Sequence, residues 1–211
     1  HLAAAKATDQ LVGVDALTPT AEKMRRLMHY GQTFQSHALH FFHLSSPDLL
    51  FGFDDAVPHR NIVGVIQDHP EIAKQGVLMR KYGQEVIRVT AGKRIHGTGA
   101  VPGGVNKHLS TGERDYLLAE TDQMVAWAES AVQLMKKIFM QNAAYHYEFA
   151  NVDANTLSLI GPDGAFEIYH GGLRAMDSDG GTLFDHQDYR DYEALLREEI
   201  KVDVRRNQDD L

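Results

Sequence analysis

The stretch Thr18-Pro19-Thr20-Ala21-Glu22-Lys23-Met24-Arg25-Arg26-Leu27-Met28-His29-Tyr30-Gly31-Gln32-Thr33-Phe34-Gln35-Ser36-His37-Ala38-Leu39-His40-Phe41-Phe42-His43-Leu44 decides the fold. Thr18 and Pro19 form an N-cap and first-position pair, and Met24, Leu27, Gly31, Phe34, Ala38 and Phe42 recur at spacings of three and four. That pattern predicts a helix of about seven turns with one apolar stripe, stopping before Pro47.

Two more long helices follow from the same logic. Asp68-His69-Pro70-Glu71 reads as a capping box that opens a second helix, with Gly92 as its stop and Ile72, Gly76, Met79, Gly83, Val86 and Ile87 on its apolar face. Each of the two glycines on that face has a propensity cost of about 1 kcal/mol, which is offset if another helix packs close there. Ser110-x-x-Glu113 opens a third, with a break expected near Thr121 and an end near Tyr145. Beyond Asn151 the pattern turns to strands. Thr156 to Ile160 and Ala165 to Tyr169 flank Gly-Pro-Asp-Gly as one hairpin, and Leu173 to Met176 pairs with Leu183 and Phe184 as another. Tyr189 to Ile200 suits a partly exposed helix, and Lys201 to Leu211 a frayed end. The expected organisation is a single structural domain: a helical core at 1–150, a β-hairpin region at 151–188, and a helix and tail at 189–211. The fold class is mainly α, with long packed helices and a small antiparallel β-hairpin region.

Composition narrows the chemistry. The 211 residues are 43% hydrophobic, enough to fill a core. Lys and Arg total 21 against 29 Asp and Glu, for a net charge of -8, which is the wrong sign for general phosphate binding. Nucleic acid is therefore not an expected partner. No segment approaches the ~18 consecutive apolar residues of a membrane span. With no cysteine at all, the chain offers no thiolate nucleophile, zinc knuckle or thiolate-held iron–sulfur cluster.

Two features remain. At about 100° per residue, His29, Thr33, Ser36, His40 and His43 gather opposite the apolar stripe of the first helix. Such a seam can relay protons, because imidazole titrates near neutrality, or it can be a solvated or subunit-facing surface. Zinc is disfavoured because His37/His40 and His40/His43 stand three apart, with no Glu between them. The second feature is the loop Lys93-Arg94-Ile95-His96-Gly97-Thr98-Gly99-Ala100-Val101-Pro102-Gly103-Gly104-Val105-Asn106. Its glycines permit close backbone approach, either to a ligand or simply between antiparallel helices. It lacks the Gly-Lys-Ser/Thr of a phosphate loop, and Asp177-x-Asp179-Gly180-Gly181 lacks the spacing of a calcium loop.

The first helix and the loop also carry a resemblance. Glu22 to Gln32, running into Gln35 to Leu44, resembles the nickel-iron hydrogenase large (alpha) subunit, most closely the NAD-reducing bidirectional type. Arg60-Asn61-Ile62-Val63-Gly64, Arg80-Lys81-Tyr82-Gly83-Gln84-Glu85, and His96-Gly97 through Asn106 agree in the same order. The resemblance implies a parent that catalyses reversible oxidation of H2 to protons and electrons at a nickel-iron centre. It also implies an iron–sulfur small subunit together with a flavin-containing, NAD-reducing module as partners, and a cytoplasmic location.

That family holds its metals by four cysteines, and none is present here. The resemblance thus implies the central segment of a longer subunit, lacking both cysteine motifs, without metal or activity of its own. A cysteine-less hydrogenase-like scaffold of a respiratory or electron-transfer complex is the alternative. Carried over by position, Ser36, His37, His40, His43 and His96 are candidates for proton relay or for supporting the pocket. Pro102, Gly103 and Gly104 form a structural loop, and no residue is assigned as a metal ligand. Many family members have an aspartate where Ser36 stands, so a direct acid role there is not implied.

Overall fold

The computed structural model describes residues 1–149 and 151–199, and the chain divides into two compact units with a boundary between Tyr147 and Glu148. The first unit is built on an antiparallel pair, α2 (Pro19–Leu39) and α5 (Pro70–Ala91). The Thr18 hydroxyl accepts from the Ala21 amide and starts α2. Gly92, in the left-handed region at φ 78°, ends α5. Glycines set the spacing of the pair: a Cβ at Gly76 would fall 2.3 Å from that of Phe42, and one at Gly83 would fall 2.8 Å from the Gln35 amide nitrogen. The expected close approach is therefore present.

After Leu39 the chain widens into a π-helical segment, His40–Ser45, and resumes as α3 (Ser46–Phe51). Pro47 does not end the helical run as expected. In an unbroken α-helix its ring would clash with the His43 carbonyl, and the wider π turn relieves that clash, leaving Pro47 in the first turn of α3. α4 (Ile62–Asp68) has no counterpart among the expected helices; it is capped by the Asn61 side chain, which accepts from the Val63 and Gly64 amides. The expected Asp68–Glu71 capping box does not form, because Asp68 closes α4 and its carboxylate engages His59 instead.

α6 (Thr111–Gln141) carries the expected Ser110–Glu113 capping box but no break at Thr121. There the Thr121 hydroxyl bonds the Leu117 carbonyl and meets the Tyr82 hydroxyl at 2.9 Å, so the polar residue ties α6 to α5. α1 (Leu2–Leu11) precedes α2, and α7 (Ala143–Glu148) follows α6. The core lies where α2, α5 and α6 meet: Ala38, Phe42, Met79 and Met124 form one cluster, and Val86, Val89 and Leu117 a second. Burial of each large apolar side chain contributes roughly 1.5–3 kcal/mol.

The glycine loop forms a two-stranded hairpin, β1 (Ala100–Val101) and β2 (Gly104–Val105), rather than a bare connection. The second unit is a three-stranded antiparallel sheet, β3 (Thr156–Ile160), β4 (Gly172–Met176) and β5 (Thr182–Gln187), in that order. Of the two expected hairpins, β4/β5 is found, whereas β3 pairs with β4 and meets Ala165–Tyr169 only through an Ile160–Phe166 bridge. The Glu167 carboxylate accepts from the Tyr169 amide and curls that segment away from strand geometry. Tyr189–Asp191 is a 3₁₀ turn and α8 (Tyr192–Leu195) a single turn, so the expected helix stops short: Leu196 is already extended, at φ -122° and ψ 135°, and residues 196–199 are not helical, while Ile200 and the tail lie outside the described residues. With two sheets besides its helices, the chain is mixed α/β rather than mainly α or all-α.

Candidate functional site

The expected residues fall on two structures, the π segment and the glycine loop. Ser36, His37 and His40 are exposed. The His37 Nδ1 lies 2.8 Å from the Thr33 carbonyl oxygen, which can only accept, so Nδ1 carries a proton and, in the neutral ring, Nε2 presents the lone pair. The Ser45 hydroxyl lies 3.4 Å from His40 Nδ1. His43 is different: it is half-buried, and its Nδ1 is one of two buried side-chain nitrogens, with Arg80 Nε, that have no hydrogen-bond partner among the described residues. The π turn changes the phase of the helix after Leu39, so His43 does not continue the face of Ser36 and His40 that uniform helical spacing implies.

His96 stands apart from this group. It has a positive φ of 52°, is exposed, and stacks on His1 with ring centroids 5.9 Å apart. The Pro102-Gly103-Gly104 turn is held from below by a buried guanidinium. Arg25, fully buried, forms a two-pronged ion pair with Asp9 at 2.5 and 3.0 Å. It also donates to the Val101 and Gly104 carbonyls at 2.8 and 3.0 Å, and the Gly103 amide donates to Asp9 Oδ1 at 2.8 Å. Gly103, at φ 80°, supplies the left-handed residue that the turn requires. The hydrogen bond from Arg25, opposed by burial and aided by the Gly103 amide, holds the Asp9 carboxyl below its ordinary pKa.

Further ion pairs fix the ends of this loop. At the start, buried Glu85 receives Arg88 and Arg94, each at 2.7 Å; burial would raise its pKa, but the two guanidiniums outweigh that and lower it. At the end, Lys107 bridges the Val89 carbonyl and Glu113, whose pKa is lowered to about 2, chiefly by that ammonium and then by the Ser110 amide and hydroxyl. Sequence reasoning misses Asp9, Arg25, Glu85, Arg94 and Lys107 as site residues. Asp9 and Arg25 are distant in sequence and carry no local motif; the one available signal is a charged residue beside Met24 at the start of an apolar stripe.

Nickel-iron or iron–sulfur groups do not fit this donor set. Such centres need soft thiolates, and the chain has none. Among the described residues no three His, Asp or Glu side chains converge as a metal site. No helix of the described residues is long and apolar enough to cross a membrane.

No protein-family model matches the chain. It is similar to the NAD-reducing hydrogenase HoxS subunit beta of Cupriavidus necator, 42% identical over 212 residues that take in 94% of this chain and 43% of the relative. It is also similar to a vhu subunit of the F420-non-reducing hydrogenase of Methanocaldococcus jannaschii, 40% identical over 91% of this chain and 46% of the relative. A crystal structure of an NAD⁺-reducing [NiFe]-hydrogenase in the H2-reduced state superposes with a TM-score of 0.90 at 51% identity, covering 95% of this chain and 45% of that one. The chain therefore has a hydrogenase fold, and it spans less than half the length of the curated relatives it matches.

These matches correct the expected subunit. The assignment to a nickel-iron large (alpha) subunit, and the function built on a central piece of it, are not retained: the relatives matching nearly all of the chain are a HoxS beta subunit, vhu subunits and, in Archaeoglobus profundus, an F420-non-reducing hydrogenase iron-sulfur subunit. For the same reason an iron–sulfur small subunit is not kept as a separate partner. The lack of cysteine applies equally here, so this stretch itself offers no thiolates to an iron–sulfur cluster.

Proposed function

We propose that this chain is a helical framework within a subunit of a hydrogenase complex, an oxidoreductase whose electrons pass to NAD or a similar acceptor. The observation that carries the reading is the agreement in fold and sequence through 95% of the chain with an NAD⁺-reducing hydrogenase. The framework role rests on the donor set: the buried charged residues Asp9, Arg25 and Glu85 are committed to ties that shape a loop, and no thiolate is available to a metal. The expected partners are the other subunits of the complex and its NAD-reducing module, and the expected location is the cytoplasm.

Within that framework, His37 and His43 are the side chains best suited to handle protons. The Thr33 carbonyl fixes the His37 tautomer and leaves Nε2 able to accept a proton. His43 carries a buried nitrogen without a partner, a state that costs about 1–3 kcal/mol and calls for a functional explanation. Ser36, His40 and His96 take supporting roles through their exposed polar atoms.

The test is a segment exchange. These residues replace the matching stretch of the Cupriavidus necator protein, and H2-dependent NAD reduction is assayed. Retained assembly and activity supports the reading. A complex that assembles normally but neither consumes H2 nor reduces NAD refutes it.

A further inference from the structure

His59 lies between two carboxylates. Its Nδ1 is 2.6 Å from Asp55 Oδ2, and its Nε2 is 3.0 Å from Asp68 Oδ2. Carboxylates only accept, so both contacts are hydrogen bonds at once only when the ring carries two protons. Asp55 and His59 belong to the connection between α3 and α4, whereas Asp68 ends α4, so the charged ring fastens the connection to the far end of the helix that follows it. The ring also lies 4.3 Å from Phe51 of α3, which is in turn 5.7 Å from His69 at the start of α5.

The same connection forms one wall of a cavity of about 410 Å³. Asp48, Phe51, Phe53 and Asp54 line it on that side, and Tyr145 and His146 on the other. Arg60, next to His59, bonds the Phe53 carbonyl and pairs with Asp48 at 3.3 Å, which carries the position of His59 to the cavity wall. A Cβ at Gly64 would fall 2.2 Å from the His59 carbonyl oxygen, so only glycine in α4 lets the backbone at His59 approach this closely.

We propose that Asp55, His59 and Asp68 form a proton-operated latch that holds residues 52–61 against α4 and sets the wall of this cavity. The charged groups facing the latch are Asp48 of α3, Asp55 and Arg60 of the connection, Asp68 of α4 and His69 at the start of α5. Of these, Asp48 is engaged by Arg60, which leaves the two aspartates as the counter-charges of the ring. The bond to Asp55, opposed by partial burial and reinforced by Asp68, raises the His59 pKa above 6.5. The latch is thus closed where the ring is doubly protonated, below that raised value. It opens as pH rises through the raised value, when one of the two hydrogen bonds must be given up.

Because the chain has no cysteine, a single nitroxide label can be placed at exposed Ala56 by an Ala56→Cys change, with Lys74→Cys on α5 as the control. The expected result is an immobile spectrum at about pH 6 that sharpens toward about pH 9, while the control spectrum stays constant. Asp68→Asn shifts the midpoint to lower pH, and His59→Gln gives a mobile label throughout. Should His59→Gln not fold, Asp68→Asn alone decides the matter. A label whose mobility ignores pH, or a midpoint unmoved by Asp68→Asn, overturns the latch.

Discussion

Arg25 and Asp9, sixteen residues apart on consecutive helices, form a buried two-pronged ion pair that also hydrogen-bonds the Val101–Gly104 turn. One guanidinium thereby fixes α1, α2 and a hairpin from another part of the chain. Removing it by Arg25→Ala leaves a buried carboxylate with the Gly103 amide but no counter-charge and takes the guanidinium from two carbonyls, and the expected loss is about 3–5 kcal/mol by urea unfolding. A loss below about 1 kcal/mol would show that water replaces the guanidinium, and that the turn does not depend on it.

The same pair gives a pH signature. Asp9 has a lowered pKa in the folded chain, so its contribution is fully present above the unfolded value of 3.8 and is lost as pH falls through the lower folded value. Urea midpoints of the unaltered chain and Asp9→Asn therefore differ widely at neutral pH and converge in acid as pH falls through that lowered value. A gap between them that persists unchanged in acid would place the stabilisation elsewhere.

Gly83→Ala tests the helix spacing. Helix propensity alone favours alanine by about 1 kcal/mol, but the new methyl would lie 2.5 Å from the Gln35 Cβ and 2.8 Å from its backbone nitrogen. Backbone cannot yield as a side chain can. The net effect expected is a destabilisation of about 1–3 kcal/mol, read as a lower melting temperature.

The start of α6 is a local cap, and Ser110→Ala should cost about 1 kcal/mol. It also removes one of the hydrogen bonds that hold Glu113 near a pKa of about 2, the one the Ser110 hydroxyl donates to the Glu113 carboxylate, while the backbone amide of residue 110 keeps its own. Nuclear magnetic resonance titration of the Glu113 carboxyl should then show its pKa rise toward the ordinary 4.5, with Lys107 still holding it somewhat below that value.

What is legible in the sequence is local. Thr18-Pro19, Ser110-x-x-Glu113 and Gly92 mark helix ends by backbone chemistry confined to a few residues, and Gly76 and Gly83 announce the close helix pair. The departures come from tertiary competition. Asp68 has the look of a cap but is claimed by His59, and Glu167 bends a segment with the pattern of a strand. Pro47 has the look of a stop but is absorbed by the π turn, which also moves His43 off the expected seam. The Arg25–Asp9 clasp has no sequence signature, because only the folded chain brings its partners together.

If this stretch shapes a hydrogenase protein without holding metal, the most direct measurement is elemental analysis of the purified chain after incubation with nickel(II) and iron(II), followed by exhaustive dialysis against a chelator. The expected result is a folded chain that retains far less than one metal ion per molecule, its twelve histidines releasing what they bind at the surface. One tightly held nickel or iron ion per folded chain would contradict it.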